Sequence, residues 1–321
     1  MAIKISESAD INSVQFKHQA SNPTAPASGY VQLFARSNDC LYMIRSSGSV
    51  LPVGPDWRAR FDARLTLTSG LAVTTADVTA ATNVYLAPFR GNQVMIFDGT
   101  EWVPFGITER TLSLAGLAAD TNYDVFVYDD AGTITLEAVA WTNATTRATA
   151  LTTQDGVLVK SGATTNRYCG TIRTTATTGQ CEDSLVRRFV WNCYHRLLRP
   201  VKKADTTASW TYNSTTPRQT RAQAANKIEY VCGLLEEPIW VSYTDFTNTF
   251  TVIGIGINST STFSVSIQVS SQNGAAIYTG YGQLGYNYVS MMEMALSGTI
   301  TFYGSDTGRP EVCYLVGHVM G

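Results

Sequence analysis

From Phe246 to Met292 the chain carries no Asp, Glu, Lys or Arg, and Asp245 and Glu293 stand at the two borders of this run. The run is not greasy, being filled with Thr, Ser, Asn, Gly and Tyr. A membrane helix needs about 18 or more consecutive apolar residues. Here Asn258, Ser259, Thr260, Ser270, Ser271, Gln272 and Asn273 interrupt every candidate span, so no membrane span is predicted. A solvated face mixes charges of both signs over about a quarter to a third of its residues. The stretch is therefore expected to be covered, and the expected cover is another copy of the same chain.

The totals fit a folded β-rich protein. A chain of 321 residues makes two or three domains by the usual length prior, and charged residues are 15% of it. Disorder would demand high net charge and few aromatics. A net charge of −2 argues against a general nucleic-acid binder, which would carry a basic excess toward phosphates. Lys4, Glu7 and Asp10 leave no apolar stretch after Met1, which reads as the absence of a secretory signal. The six cysteines show no Cys-x-x-Cys spacing and read as small buried thiols made in a reducing cytosol. His18, His195 and His318 lie far apart, so neither a zinc site nor any cofactor is predicted.

Periodicity gives an all-β chain in four parts. Residues 1–28 read as an N-terminal arm, ending in the Pro/Ala/Ser run from Asn22 to Ser28. Residues 29–62 form a small attachment β-meander, with strands at Tyr30 to Ala35, Cys40 to Arg45 and Ser49 to Val53 around the turns Ser37-Asn38-Asp39 and Ser46-Ser47-Gly48. Residues 63–205 make a central β-sandwich domain. In it Asp98-Gly99 turns one hairpin and Asp129-Asp130-Ala131-Gly132 another. Tyr123, Val125 and Val127 share one face of a strand, as do Ile134, Leu136 and Ala138 of the next. One strand is expected over Arg188 to Val201, and a short helical turn over Glu182 to Val186. Residues 206–321 give a C-terminal β-sandwich or jelly-roll-like domain of many short strands.

Few motifs carry chemistry. Gly280-Tyr281-Gly282-Gln283-Leu284-Gly285 spells the dinucleotide fingerprint, with Asp306 about twenty residues on, but the βαβ unit that this fingerprint requires is missing. A tight turn among close-packed strands explains the glycines better. Tyr278, Tyr281, Tyr286 and Tyr288 interleave with them, and their flat faces are the candidate ligand or receptor residues, for stacking on sugar rings of a host surface glycan. Core or subunit packing is the competing role. Arg187, Arg188, Arg196, Arg199, Lys202 and Lys203 form a basic run with Phe189, Trp191 and Tyr194, read as a solvated strand face or as inter-subunit salt bridges to the acidic loops rather than a nucleic-acid groove. No Gly-x-Ser-x-Gly, His-Glu-x-x-His or Walker loop occurs. Glu236-Glu237 and Asp129-Asp130 read as turn residues, and no enzyme is predicted.

Two resemblances add to this. Leu117 to Val125 resembles the strand entry Leu-x-Pro-x-Thr-x-Tyr-x-Val of fibronectin type III domains, with Ala119 at the Pro position. The resemblance implies a tyrosine corner at Tyr123 within a β-sandwich. The second is carried by Ser28 to Arg36 with Leu41-Tyr42-Met43-Ile44 and Gly48-Ser49-Val50. It continues through Arg64 to Gly70, Tyr123 to Asp129, Trp141 to Leu151, Gln154 to Val157, Arg188 to Asn192 and Ala204 to Thr207. Over roughly residues 28 to 215 this set is similar to structural proteins of tailed bacteriophages and prophages. Cys40 and Met43 replace charged residues usual in that first hairpin. The resemblance implies a tail-fibre, head-fibre or other appendage or decoration subunit of a virion made in the bacterial cytoplasm. It also implies a homotrimer, docking on other virion proteins through residues 1–62, and supplies no catalytic residues. The alternative is a host-glycan receptor-binding protein using the C-terminal Tyr/Gly loop; a polysaccharide depolymerase is a third class.

Overall fold

Runs rich in β-branched residues, separated by Gly, Asn and Asp turns, form strands throughout the computed structural model, which describes residues 15–36, 40–53, 59–270, 273–306, 308 and 312–321. No α-helix occurs among the described residues, so the chain is all-β. Half of the expected arm, residues 1–14, and the turn Ser37-Asn38-Asp39 lie outside the described residues.

Val31–Arg36, Leu41–Arg45 and Val50–Pro52 form an antiparallel meander, to which His18–Gln19 adds in parallel. Alternation sends Phe34, Tyr42 and Ile44 to one buried face. An ion pair between Arg36 and Glu101 at 3.2 Å ties this sheet to the hairpin Gln93–Phe97/Trp102–Gly106.

The central sandwich sets the sheet of Ala63–Thr66, Asn83–Pro88 and Arg110–Ser113 against a larger central sheet. The latter runs in the order Thr133–Ala140, Asn122–Asp130, Ala163–Arg173, Val157–Lys160, Leu151–Gln154. Tyr123, Val125, Val127, Ile134 and Leu136 all enter the core between them, with Ala138 packed against it. Alternation sends Phe126 to the opposite side, where it packs with Tyr168, Trp191 and Val231, while a bulge on the partner strand leaves Cys169 unpaired in this register between Tyr168 and Gly170. The Ala118 backbone N–H donates to the Tyr123 hydroxyl at 2.8 Å. That is the tyrosine corner: one buried ring fixes the strand while its hydroxyl satisfies a loop donor.

Two further sheets enclose the second large core. The eight-stranded seam sheet runs Val265–Val269, Thr251–Ile257, Gly285–Met294, Lys227–Cys232, Arg187–Arg188, Cys181–Asp183, Val78–Ala81, with Arg218–Gln219 also on Gly285–Met294. The six-stranded outer sheet runs Leu198–Ala204, Tyr314–Met320, Ile239–Thr247, Ile300–Tyr303, Ser209–Tyr212, with Asn273–Gly280 also on Ile239–Thr247. Ile228, Ile253, Ile255, Val289 and Met291 from the first meet Val241, Tyr243, Phe302 and Leu315 from the second. Both sheets draw strands from either side of position 205/206.

Three expectations change here. The strand read over Arg188 to Val201 is three pieces, Arg187–Arg188, Val190–Asn192 and Leu198–Ala204, each in a different sheet. The helical turn read at Glu182 to Val186 is strand Cys181–Asp183 followed by a tight turn. There the Ser184 hydroxyl accepts the N–H groups of Val186 and Arg187 at 3.3 and 3.1 Å, the local competition that keeps serine out of helices. Thirdly, the cover over much of the charge-free run is this chain itself, because Thr251–Ile257 and most of Gly285–Met294 are buried inside the second core.

Candidate functional site

The four tyrosines do not form one platform. Asn273–Gly280 belongs to the outer sheet and Gly285–Met294 to the seam sheet, so residues 281–284 cross from one to the other. Asn287, fully buried, pins the crossing: it accepts the Gln283 N–H at 2.7 Å and donates to the Gln283 and Gly285 carbonyls at 2.7 and 3.0 Å. Tyr278 donates its hydroxyl to the Tyr281 carbonyl at 3.1 Å, and Tyr281 is 56% exposed at the tip. Tyr286 and Tyr288 lie together on the seam sheet with ring centroids 6.1 Å apart. Arg173 stacks on Tyr286 at 4.1 Å and Lys227 on Tyr288 at 5.0 Å, and the Tyr286 hydroxyl donates to Glu229. Burial and that bond to a carboxylate push the Tyr286 phenol up. These two rings therefore serve an ionic cluster, and only Tyr281 stands open as a stacking face.

The four arginines of the basic run are paired within the chain, and Lys202 lies over the Tyr314 ring. Arg187 pairs with Glu182 and Glu229, Arg188 and Arg199 share Asp183, and Arg196 meets Glu236 and Glu237. No disulfide joins the six cysteines. No helix is long and apolar enough to cross a membrane among the described residues.

What the sequence did not reveal is an outward face on the outer sheet with a single Lys as its charge. Residues directly opposed in a sheet share a face. The register therefore makes three rows: Pro200–His318–Trp240–Thr279, Lys202–Val316–Ser242–Ile277 and Ala204–Tyr314–Thr244–Ala275, with Leu198 opposite Met320 beside them. Lys202 is the single Asp, Glu, Lys or Arg in these rows. Leu198, Ile277 and Trp240 are 66%, 52% and 39% exposed. On the N-terminal sheet exposed Val31, Leu33 and Val53 accompany half-buried Leu41, Met43 and Leu51, on a face that also carries exposed Arg45 opposite Val31. Signals for the first face are spread over Leu198–Ala204, Ile239–Thr247, Asn273–Gly280 and Tyr314–Met320, and no local window contains them.

The carboxylates bordering the charge-free run, Asp245 and Glu293, are both fully buried and belong to one network. Asp245 accepts the Tyr243 hydroxyl at 2.5 Å and the Phe246 N–H at 2.8 Å. Tyr243 contacts the Thr220 hydroxyl at 3.0 Å, and the Thr220 carbonyl accepts Asn226 Nδ2 at 3.0 Å. Asn226 and Arg221 donate to Asp205 at 2.6 and 2.9 Å, and the Arg221 N–H reaches Glu293 at 3.2 Å. Burial raises the Asp205 carboxyl, but the donors of Asn226, Thr207 and Arg221 outweigh it and hold it below the usual range. At Asp245 burial wins over the Tyr243 and Phe246 donors, and the carboxyl sits well above its ordinary value.

That raised value makes a pH prediction. The folded chain holds the Asp245 proton more tightly than the unfolded chain does, so stability falls as pH rises from the ordinary value of 3.8 through the folded one. Asp245→Asn keeps an oxygen for Phe246 and lets Tyr243 turn its proton toward Thr220. The variant is expected to melt higher than the parent at pH 8 and level with it below the ordinary carboxylate value. Melting curves across that range would contradict this if the two proteins kept a constant gap.

Neither a family model nor a curated relative matches the sequence. Among solved structures, the insecticidal δ-endotoxin Cry8Ea1 of Bacillus thuringiensis matches at 6% identity and TM-score 0.25, over 81% of this chain and 51% of that one. A glycoside hydrolase family 43 arabinoxylan arabinofuranohydrolase of Bacillus subtilis matches at 11% identity and TM-score 0.23, over 89% and 76%. An exo-β-1,3-galactanase of Phanerochaete chrysosporium matches at 9% identity and TM-score 0.18, over 90% and 98%. The chain spans about half the length of the endotoxins it matches. At such TM-scores these likenesses carry no argument about function.

Proposed function

We propose that this chain is a non-enzymatic structural component of a tailed-bacteriophage particle: a self-associating appendage, fibre or decoration subunit, trimeric as its sequence resemblance implies. The observation that carries the self-association is the outer-sheet face around Trp240, Ile277 and Val316, nearly uncharged, with Trp240 and Ile277 exposed and Val316 half-buried. Exposed apolar side chains clustered on one face mark a surface that meets a partner, and in a closed three-fold ring such a face meets a different surface of the next subunit, the same pair of surfaces recurring at every contact. Exposed Val31, Leu33 and Val53, on the face of the N-terminal sheet that also carries Arg45, support docking of residues 1–62 on another virion protein. Such a subunit works by multivalent contact, where clustering raises weak single-site affinity through effective concentration.

The test is mass in solution. Light scattering is expected to give three times the chain mass for the parent and the single-chain mass for Trp240→Glu/Ile277→Glu, at an unchanged melting profile of the monomer core. A parent that stays monomeric at high concentration would end the self-association claim. A density map of an intact particle in which this fold is missing would end the virion claim.

A further inference from the structure

A cleft of about 230 Å³ opens where the central sandwich meets the seam sheet, lined by Thr79, Asp120, Gln180, Glu182, Arg187 and Glu229. Two other cavities, of about 10 Å³ each, have room for one water. Drug-sized ligands occupy about 300–1,000 Å³, so this cleft suits a single small ring.

Its wall is built rather than incidental. Arg187 stands between two carboxylates, donating from Nε to Glu229 at 2.8 Å and from a terminal nitrogen to Glu182 at 2.9 Å. Each carboxylate is braced from behind. The Ser184 hydroxyl donates to Glu182 at 2.6 Å, and Tyr286 with Lys227 holds the other oxygen of Glu229. Burial raises the Glu229 carboxyl, but the bonds from Tyr286 and Arg187 outweigh it and keep it below its ordinary value, hence ionised. The result is an acceptor–donor–acceptor row held by its own ion pairs, with Gln180 and Thr79 also lining the cleft. Fixed side chains lose little freedom on binding.

Charge selects the ligand class. Asp120, Glu182 and Glu229 are matched by Arg173, Arg187 and Lys227 at 3.5 Å or less. The site therefore offers neither an anion nor a cation a net field, while it offers alternating donors and acceptors at close spacing. A sugar ring presents hydroxyls that donate and accept at once, which is the complement of this row.

We infer that the cleft beside Glu182, Arg187 and Glu229 binds one neutral pyranose residue. The inference is independent of the appendage reading, because the cleft shares no residue with the outer-sheet face, and solution mass reads only the latter. A free sugar and a residue within a glycan chain share this chemistry.

Saturation-transfer NMR on the full chain, with D-glucose, D-galactose and N-acetylglucosamine as free sugars and as methyl glycosides, tests it. Transfer to at least one ring is expected; preference for the methyl glycoside assigns a chain residue, and preference for the free form assigns a free sugar. Ala176→Trp, at an exposed rim position of the cleft, is expected to weaken the signal at least tenfold. Gln180→Ala is expected to weaken it several-fold if the tryptophan variant fails to fold. Tyr281→Ala should leave it unchanged. Transfer to none of the six probes overturns the inference. So does a signal that survives in the folded rim variant, or one that Tyr281→Ala abolishes.

Discussion

Glu293→Ala is expected to lower the unfolding free energy by about 3–5 kcal/mol, the range for removing one partner of a buried, hydrogen-bonded charge group. The carboxylate is fully buried and accepts three donors: Trp210 Nε1 at 2.6 Å, Arg218 Nε at 2.7 Å and the Arg221 N–H at 3.2 Å. Alanine leaves all three facing a cavity, and Trp210 also loses the bond that holds its ring flat on Phe302, 5.9 Å away. Glu293→Gln should cost less, because one oxygen remains to accept. Arg218→Ala should cost more than Glu293→Gln, because it leaves the fully buried Glu293 carboxylate without its cationic partner and with only the bonds to Trp210 and the Arg221 N–H. Urea unfolding of the three variants gives this order directly from midpoints at constant slope. An alanine variant that loses less than about 1 kcal/mol, the worth of an ordinary hydrogen bond, would show that water replaces the carboxylate and that the network does not fasten the C-terminal core.

The same network shows what the charge-free run was telling. Its two border carboxylates lie far apart in sequence yet join one chain of hydrogen bonds beneath the outer sheet. Local signals were legible where the partner is also local. Gln93–Phe97 with Trp102–Gly106, and Asn122–Asp130 with Thr133–Ala140, are hairpins whose turn residues sit between them. The Tyr123 corner closes on Ala118, within the nine residues that carried the resemblance. Pairings with remote partners were not legible. Leu198–Ala204 finds Tyr314–Met320, and Arg187–Arg188 finds Lys227–Cys232 in parallel, so one apparent strand is shared among three sheets. For the same reason Glu182 and Glu229 gave no sign of facing one arginine, and the interleaved tyrosines were read together although their strands enter different sheets.

Gly285→Ala is expected to cost about 2–5 kcal/mol, combining a left-handed backbone position with overpacking. Gly285 has φ +88°, and a Cβ there would collide with the Ala144 carbonyl oxygen and lie 2.8 Å from the Trp141 ring. That carbonyl cannot retreat, since it accepts the Tyr286 N–H at 2.9 Å and Asn122 Nδ2 at 2.8 Å. Gly298 separates the two contributions. It too has positive φ, +63°, but nothing within 4 Å of the added carbon, so Gly298→Ala should cost only the conformational share, about 1–2 kcal/mol. The other glycines of the apparent fingerprint are explained by different neighbours: Gly280 makes room for the Tyr278 hydroxyl, and Gly282 for the Tyr230 hydroxyl and Asn287. Each spacing thus answers to its own close contact rather than to a shared phosphate. Equal denaturation midpoints for the Gly285 and Gly298 variants would remove the collision from this account and leave the crossing at 281–284 without a steric reason for its last glycine.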